Sequence, residues 1–253
     1  MKTIAIANQK AGVGKTTSAI NIGAGLTRLG KRVLLIDLDP QADLTSSLGI
    51  KAHQLHKAIY QVLKGDVPFE EIWIDRAGMM VLPSAIELAR VERELSGVRG
   101  REYLLKEGMG KPWGFDCILI DCPSSLGLLT LNAFTAAREI YIPLQMDVSS
   151  LQSVGMLLQA AEAVEKWFNN GLAVTGVIHT RFDPSKTLNR EVEEKMKAIF
   201  GNRLFITEIR EGSSIAEASS VGKTIFEYNP ESEGGEDYSV LCREIIERGW
   251  RDR

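Results

Sequence analysis

The fold is decided by one segment near the start of the chain, Asn8-Gln9-Lys10-Ala11-Gly12-Val13-Gly14-Lys15-Thr16-Thr17. Residues 4–7, which precede it, are all apolar and predict a short strand. From residue 19 to residue 29, apolar side chains recur at the spacing of one helix face and predict an amphipathic helix. A strand, a glycine turn and a helix therefore follow one another, and this order predicts a phosphate-binding loop.

Each part of this loop has a chemical reason to bind a polyphosphate. Gly12 and Gly14 let the backbone bend so that its N–H groups converge on one anion. The first turn of the following helix adds a partial positive charge at the same point. Lys15 can reach the outer phosphates, and the Thr16 hydroxyl can bind Mg²⁺. The segment therefore predicts a nucleotide site rather than a chance glycine turn.

The loop departs from the standard pattern at its start. Gln9 occupies the position at which the standard phosphate loop has its first glycine. Lys10 follows, so two ammonium groups can face one polyphosphate. This second lysine distinguishes the loop from an ordinary one.

The composition is that of a globular protein. The 253 residues suit a single α/β domain over residues 1–253, and a hydrophobic content of 44% allows a sizeable core. The net charge of −3 gives no general attraction to nucleic acid, so any DNA contact needs a local basic patch. We expect no signal peptide and no membrane span, hence a cytoplasmic protein. Three cysteines without metal-binding spacing indicate buried thiols: Cys117, Cys122 and Cys242.

Two apolar runs end in carboxylates. Residues 33–36 precede Asp37-Leu38-Asp39-Pro40-Gln41, and residues 117–120 precede Asp121. Ligands of open α/β sheets bind at the carboxyl ends of the strands, where such side chains lie. Asp39 is therefore a candidate to orient a water or a metal ligand near the terminal phosphate, with a turn residue as the alternative. Asp121 is a candidate to hold Mg²⁺ through a water.

The remainder of the chain predicts a regular alternation of strands and helices. Strands are expected at 140–144, 173–180 and 204–209, and helices at 128–137, 151–168, 189–200, 215–220 and 237–248. Residues 44–111 are less regular, with a helix at 55–64, a strand at 79–82 and an interrupted helix at 86–107. Gly234-Gly235 predicts a loop. The fold class is α/β, a doubly wound and mainly parallel sheet with helices on both faces, like a P-loop NTPase.

Two kinds of side chain in the irregular part have a structural interpretation. His53 and His56 lie three residues apart, but no third ligand is near, so a solvated helix face is favoured over a metal site. Trp73 and Trp113 are expected in core or edge packing rather than as exposed contact residues.

Three sets of residues together carry a family resemblance: Lys10-Ala11-Gly12-Val13-Gly14-Lys15-Thr16-Thr17, Asp37-Leu38-Asp39-Pro40-Gln41 and Ile120-Asp121-Cys122-Pro123-Ser124. The chain resembles the ParA/Soj partition ATPases of the deviant Walker A (ParA/MinD) superfamily. The resemblance covers nearly the whole chain and continues into residues 180–183 and 217–224. It is closest to the short members, which lack an extra N-terminal DNA-binding region.

The resemblance implies ATP and Mg²⁺ as ligands and a role for each site residue. Lys10 would contact phosphate across an ATP-sandwich dimer, and Lys15 would be the phosphate-loop lysine. Asp39 would support the hydrolytic water, Thr16 would bind Mg²⁺, and Asp121 would hold Mg²⁺ through a water. The implied nucleotide-binding residues are Lys10, Ala11, Gly12, Val13, Gly14, Lys15, Thr16, Thr17, Arg210 and Gly212, the last two in a loop against adenine.

The sequence also departs from the family pattern. Ala11 replaces a usual glycine, a mild change if the backbone there keeps a negative φ. Of two segments that carry arginines on the family's DNA-binding surface, one maps to Lys186 and the other to Ser214, which is not basic. A basic patch could still be built from Lys186, Arg203 and Lys223, with Arg181, Arg190 and Lys195 as further candidates.

The leading functional hypothesis is an ATP-driven partition protein, cytoplasmic and associated with the nucleoid. Its ATP-bound homodimer would bind DNA non-specifically, and a ParB-like partner would stimulate hydrolysis. One alternative is a MinD-like membrane or cargo-positioning switch that uses the basic, partly apolar tail at 241–253, although packing of this tail on the sheet is favoured. Another is a reductase with a cysteine-held iron–sulfur cluster shared across a dimer. GTP use is disfavoured because no Asn-Lys-x-Asp motif occurs.

Overall fold

The structure, a computed structural model, describes residues 1–110, 113–145, 147–183 and 187–249. The strands are β1 (Lys2–Ile6), β2 (Val33–Asp37), β3 (Ile74–Arg76), β4 (Met79–Leu82), β5 (Cys117–Asp121), β6 (Glu139–Gln145), β7 (Ala173–Phe182) and β8 (Leu204–Arg210). The helices are α1 (Lys15–Arg28), α2 (Asp43–Ser47), α3 (Ile59–Leu63), α4 (Val91–Glu94), α5 (Leu104–Gly108), α6 (Leu128–Ala136), α7 (Val148–Trp167), α8 (Thr187–Phe200), α9 (Ser213–Ser220), α10 (Ile225–Tyr228) and α11 (Glu233–Gly249).

The eight strands form one sheet in the order β3-β4-β2-β5-β1-β6-β7-β8. All neighbouring pairs are parallel except β3 and β4, which are antiparallel at one edge. The predicted fold class, a doubly wound and mainly parallel sheet, is confirmed.

The central strands are buried on both faces, which explains their continuous apolar runs. Successive β1 side chains point to opposite faces, so Ile4 and Ile6 join one core cluster while Ala5 joins the other. Helices α1 and α11 supply the first cluster, and helices α5 to α8 supply the second. The sheet is therefore covered by helices on both sides.

The register of the central strands brings the predicted site residues to one edge of the sheet. Asp121 is the parallel partner of Ile6 on one side and of Asp37 on the other. Because the phosphate loop follows β1 directly, the carboxylates that end β2 and β5 lie beside it. Strand order, rather than sequence distance, assembles this site.

The irregular segment differs from its prediction in several places. The helix expected at 55–64 is shorter, because only Ile59–Leu63 is α-helical. The stretch 86–107 is broken into the short helices α4 and α5 with 3₁₀ turns beside them. Strand β3 and helix α10 were not predicted, since each has only three or four residues and too few to show a period.

The prediction of a loop at Gly234-Gly235 is wrong, because both glycines lie inside α11 and are buried. A Cβ on Gly234 would lie 2.7 Å from the side chain of Ile215, and one on Gly235 would lie 2.4 Å from the carbonyl oxygen of Pro230. The two glycines therefore allow close packing at the start of the helix. The prediction assigned the two glycines to a turn, but glycine is needed at both positions because of contacts with other parts of the chain.

The expected packing of the C-terminal helix on the sheet is confirmed over the described part of the tail. Leu241 and Ile245 are buried in the core on that face. The carboxylate of Glu244 accepts hydrogen bonds from the β8 amides of Ile206 and Thr207 at 2.8 and 2.9 Å. No helix in the described ranges is both long enough and apolar enough to cross a membrane.

The histidines and tryptophans have structural surroundings. Trp73 and Trp113 are partly buried and pack edge to face, with ring centroids 5.4 Å apart, which confirms the expected packing. His53 lies in a 3₁₀ turn and His56 lies outside any helix, so the helix face expected for them is wrong, although both are exposed. Within the described ranges, no group of three or more metal-ligating side chains is found.

Candidate nucleotide-binding site

The phosphate loop has the backbone geometry that its glycines predict. Gly12 and Gly14 have φ values of 74° and 86°, in the left-handed region that glycine adopts without strain. Ala11 keeps a negative φ, so its replacement of the family glycine is structurally mild. Helix α1 begins directly after Gly14 without a side-chain cap and with no acidic residue in its first turn. Its first N–H groups are therefore oriented for an anion.

Two side chains outside the glycine turn fix the loop to the sheet. Asn8 donates through Nδ2 to the carbonyl of Pro143 at 2.8 Å, and its Oδ1 accepts from the amide of Lys10 at 3.0 Å. Thr180, at the end of β7, donates through Oγ1 to the carbonyl of Val13 at 2.8 Å. Sequence reasoning did not assign these roles, because Thr180 is 167 residues from its partner.

Lys15 is nearly buried and is held across the mouth of the loop. Its Nζ donates to the Ser124 hydroxyl at 2.9 Å and approaches the carbonyl of Lys10 at 3.4 Å. Ser124 follows β5, three residues after Asp121. The ammonium group is therefore positioned over the loop by neutral oxygens, which a phosphate can replace with a stronger, charge-assisted bond.

Lys10, expected to reach a partner subunit, contacts groups of its own chain. Its Nζ is paired with the Asp147 carboxylate and lies 3.2 Å from the Ser150 hydroxyl. Asp147 also caps α7, since its Oδ1 accepts from the amide of Ser150 at 2.8 Å. Sequence reasoning missed Asp147, which lies 137 residues from Lys10.

Thr16 and Asp121 form the pair that fits a magnesium ion. The Thr16 hydroxyl donates to Asp121 Oδ2 at 2.7 Å. Asp121 Oδ1 is buried and has no hydrogen-bond partner among the described residues. Burial raises the pKa of Asp121 well above its usual value, Asp37 nearby raises it further, and the Thr16 hydrogen bond opposes the shift. A cation beside this pair would satisfy the unpartnered oxygen and stabilise the charged form.

Asp39 lies on the loop between β2 and α2, at the same mouth. Its Oδ1 accepts from the amide of Gln41 at 2.9 Å, and its own amide donates to Asp37 Oδ1 at 3.2 Å. The Asp39 side chain is only partly buried and lines the same pocket as Lys15 and Thr16. A carboxylate so placed can accept a proton or orient a water near a bound terminal phosphate.

The pocket over the phosphate loop has a volume of about 600 Å³. Its lining includes the loop and Asp39, together with Arg210, Gly212 and Ile215. Arg210 and Gly212, which the resemblance places against adenine, therefore line the same pocket as the phosphate loop. The Arg210 guanidinium, however, is held by Asp237, with Nη2 2.7 Å from Oδ1, so its charge is already matched within the chain.

A larger hollow of about 860 Å³ lies beside β8. It contains Arg203 and Arg248, but both guanidinium groups donate to backbone carbonyls. Arg203 in particular donates to Ile199 and Phe200 at the end of α8, a role in closing that helix. The hollow therefore has less of the chemistry of a nucleotide site than the smaller pocket.

The predicted DNA-contact residues that the structure describes lie on different elements. Lys223 is exposed, just after α9, while Arg203 is engaged at the end of α8. Arg181 is paired with Glu211 at 2.7 Å. Lys186 lies outside the described residues, as does the side chain of Arg190.

The cysteines do not offer ligands for a shared cluster. Cys117, Cys122 and Cys242 are free and buried. Burial raises the pKa of each thiol, for Cys242 to about 12. Metal clusters need thiolates, and a cluster shared by two subunits needs them at the surface.

Comparison with known proteins agrees with the fold and the loop. The sequence profile of an AAA domain family matches residues 1–174. The sporulation initiation inhibitor protein Soj of Bacillus subtilis is 40% identical over 98% of this chain and 99% of its own. The chromosome partitioning protein ParA of Caulobacter vibrioides is 37% identical over 100% of this chain and 96% of its own.

A solved structure is also similar over nearly the full length. It is described as cobyrinic acid a,c-diamide synthase from Mycobacterium smegmatis with bound ATP analog and magnesium. It has a TM-score of 0.87 and 35% identity, with 99% of this chain and 97% of that chain covered. Sheet order, loop geometry and these matches define a P-loop nucleoside triphosphatase fold. More specifically, the chain belongs to the ParA/Soj family of chromosome-partitioning ATPases.

Proposed function

We propose that this chain is a partition ATPase that binds ATP and Mg²⁺, hydrolyses ATP, and uses the cycle to move or position DNA. The observation that carries the enzymatic part is the contact between Thr16 and the buried Asp121 directly beside the phosphate loop. Magnesium held there would neutralise charge on the outer phosphates and leave the terminal phosphorus open to attack. The name of the Caulobacter vibrioides relative, a chromosome partitioning protein that matches over the full chain, supports chromosome partition as the cellular role.

In this proposal each side chain has one task. The amides at the start of α1 and the Lys15 ammonium bind the phosphates, and Thr16 ligates the magnesium ion. Asp121 holds the ion through a water, which suits a carboxylate with one oxygen already engaged by Thr16. Asp39 orients the attacking water. The nucleotide-binding residues are those of the loop, 10–17, together with Arg210 and Gly212.

Dimerisation is proposed to depend on nucleotide. Lys10 of one subunit would contact the phosphates bound by the other and stabilise the charge that develops during hydrolysis. Nucleotide and dimer would then favour each other, since each completes the other's site. The present contact of Lys10 with Asp147 would have to break first.

The ATP-bound homodimer is proposed to bind DNA without sequence preference, and a ParB-like partner to stimulate hydrolysis. In the same proposal, the protein is cytoplasmic and associated with the nucleoid, and residues 1–253 form a single ATPase domain. With a net charge of −3, DNA binding depends on a local patch. Lys186 and Lys223 are the candidates, and Arg203 ranks below them because its guanidinium closes α8.

The alternatives have weaker support. A MinD-like membrane switch would use the tail, but its apolar residues Leu241 and Ile245 are buried against the sheet. An amide-forming activity is suggested only by the name of the similar Mycobacterium smegmatis structure, at 35% identity. The two curated relatives named for partition or for Soj are 37% and 40% identical.

The enzymatic part is tested by two variants of the same purified protein. Lys15→Ala should weaken ATP binding by about 100-fold, or about 3 kcal/mol, the upper range for a charge-assisted hydrogen bond. Asp39→Ala should bind ATP normally, lose about 100-fold in hydrolysis and accumulate as a dimer, because a positioned base or water-orienting group contributes at least that factor. Calorimetry, phosphate release and sedimentation measure the three properties. Normal hydrolysis by Asp39→Ala would return Asp39 to the role of a turn residue.

The DNA part is tested by a mobility assay with a slowly hydrolysed ATP analogue at two salt concentrations. Wild-type binding should be independent of sequence and fall steeply with salt. Lys223→Glu and Lys186→Glu should each weaken it while basal ATPase activity survives. Lys106→Glu, the same charge change at an exposed lysine distant in sequence from both, is the control for net charge. Wild-type protein that ignores DNA at low salt would favour the cargo-positioning alternative.

A further inference from the structure

A closed ring of buried hydrogen bonds lies behind the Asp39 loop. It begins at Asp37, the last residue of β2, whose side chain is fully buried. Asp37 Oδ2 accepts from both the amide and the hydroxyl of Thr45, at 2.9 and 2.6 Å. Asp37 Oδ1 accepts from the amide of Asp39 at 3.2 Å. One buried carboxylate therefore joins the end of β2, the Asp39 loop and helix α2.

Ser84, which follows β4, closes the ring from the opposite side. Its amide donates to the Thr45 hydroxyl at 2.9 Å, and its own hydroxyl donates to the carbonyl of Asp39 at 2.7 Å. Thr45 and Ser84 are both fully buried. The N–H and the C=O of Asp39 are thus each held by a side chain of this ring.

The ring constrains the backbone of Asp39 but leaves its carboxylate at the pocket. Helix α2 has only five residues and starts after Ala42, a non-glycine residue with φ of 55°, so local propensity alone would hold this segment weakly. Three buried polar side chains would be costly to desolvate without the bonds they make to one another and to the backbone. Together they hold the backbone that carries the partly buried Asp39 carboxylate.

We propose that Asp37, Thr45 and Ser84 are positioning residues for ATP hydrolysis, which set the place of the Asp39 carboxylate over the bound nucleotide. This rests on the proposed role of Asp39 in orienting the attacking water. Displacement of a reacting group by about 1 Å costs on the order of 100-fold in rate. Loss of one bond in the ring should therefore reduce hydrolysis far more than nucleotide affinity, because none of the three side chains lines the nucleotide pocket.

The test compares variants that remove one hydroxyl at a time. Thr45→Val keeps the shape of the side chain and the bond from its amide to Asp37 but loses the hydroxyl's bonds with Asp37 and Ser84. Ser84→Ala loses only the bond from its hydroxyl to the Asp39 carbonyl. Thr45→Ser restores the hydroxyl. Thr135→Val is the matched control, because Thr135 is also fully buried and its hydroxyl donates to a carbonyl of its own helix, α6.

Single-turnover hydrolysis, ATP affinity by calorimetry and melting temperature are measured for each variant and for Asp39→Ala. Thr45→Val and Ser84→Ala should hydrolyse ATP about 10- to 100-fold more slowly, with ATP affinity within about threefold of wild type. Thr45→Ser should recover most of the rate, and Thr135→Val should keep it. In an Asp39→Ala background, Ser84→Ala should have no further effect, because its only proposed action is through Asp39.

The outcomes separate this inference from the function on which it rests. Normal hydrolysis by Asp39→Ala would refute the role of Asp39 itself. If Asp39→Ala loses ATP hydrolysis while Thr45→Val and Ser84→Ala keep the wild-type rate, the role of Asp39 stands and the positioning role of the ring is refuted. The positioning role would also be refuted if the variants lost ATP affinity and melting temperature along with the rate of hydrolysis, which would show a structural role. The same holds if Ser84→Ala still lowered the rate in the Asp39→Ala background. If Thr45→Val does not fold, Ser84→Ala decides the question.

Discussion

Replacement of Asp147 by asparagine should strengthen the ATP-dependent dimer. In the described chain the Asp147 carboxylate holds the Lys10 ammonium, the group proposed to cross to the partner's phosphate. Asparagine is as good a helix cap as aspartate and can still accept the bond from the amide of Ser150. The substitution therefore removes the charge that competes for Lys10 while it preserves the start of α7.

The size of the effect follows from the exposure of the pair. The Lys10 and Asp147 side chains are 28% and 32% exposed, so solvent screens much of their attraction. We assign the contact about 1 kcal/mol per subunit, the upper value for an exposed ion pair. Two such contacts break when a symmetric dimer forms, and about 2 kcal/mol corresponds to a roughly 30-fold lower dissociation constant.

Sedimentation of wild type and Asp147→Asn with a slowly hydrolysed ATP analogue measures that constant. Without nucleotide both proteins should remain monomeric, and the difference should shrink at high salt. Asp66→Asn is the matched control, because it removes a carboxylate that faces Lys64 at 3.7 Å, in a different ion pair. An unchanged or weaker dimer, in a variant with wild-type melting temperature, would refute the competition between Asp147 and the partner's phosphate for Lys10. So would an equal gain in a Lys10→Ala background.

Three further outcomes are expected. Thr16→Ala should raise the Mg²⁺ concentration needed for half-maximal hydrolysis about tenfold or more, which a magnesium titration measures. An unchanged requirement for Mg²⁺ would show that Thr16 does not bind the ion. The native chain should resist thiol alkylation at about pH 8, because burial raises the pKa of Cys117, Cys122 and Cys242. Once unfolded, the chain should react at all three cysteines, as measured by mass spectrometry. Fast labelling of the native chain would contradict this expectation. Burial raises the pKa of Asp37 from 3.8 to about 7 and outweighs the Thr45 hydrogen bonds that lower it. The stability from this protonated carboxyl is fully present below the unfolded pKa of 3.8 and is lost as pH rises to about 7. Denaturant melts should therefore show wild type losing stability relative to Asp37→Asn between about pH 4 and 7, with little further change above pH 7; parallel curves would refute the shift.

The sequence was sufficient to predict the elements that have a clear local period. The run of apolar residues in β1, β2 and β5, and the apolar face of α1, are properties of neighbouring residues, so they are visible without the fold. The glycines of the phosphate loop can likewise be interpreted without the fold, because Gly12 and Gly14 adopt the positive φ values that glycine allows. These features were enough to predict a parallel sheet with a nucleotide site at its edge.

Short or irregular elements were less predictable. Strand β3 and helix α10 contain too few residues to show a period, and the helix at 55–64 was overextended. Gly234 and Gly235 were taken as a loop because glycine usually marks one, yet they lie inside α11. Glycine is required at these two positions because Ile215 and Pro230 pack closely against them, and not because of any local preference of the chain.

Only the tertiary structure decided which side chains meet at the site. Strand order places Asp121 between the ends of β1 and β2, next to Thr16, across 105 residues of sequence. Asp147 reaches Lys10 across 137 residues, and Ser84 reaches the Asp39 carbonyl across 45. Hydrogen bonds between distant residues leave no period or motif in a single sequence, because their partners are chosen by the packing of the whole sheet. Local chemistry therefore identified the phosphate loop, while the fold determined what holds its lysines and carboxylates in place.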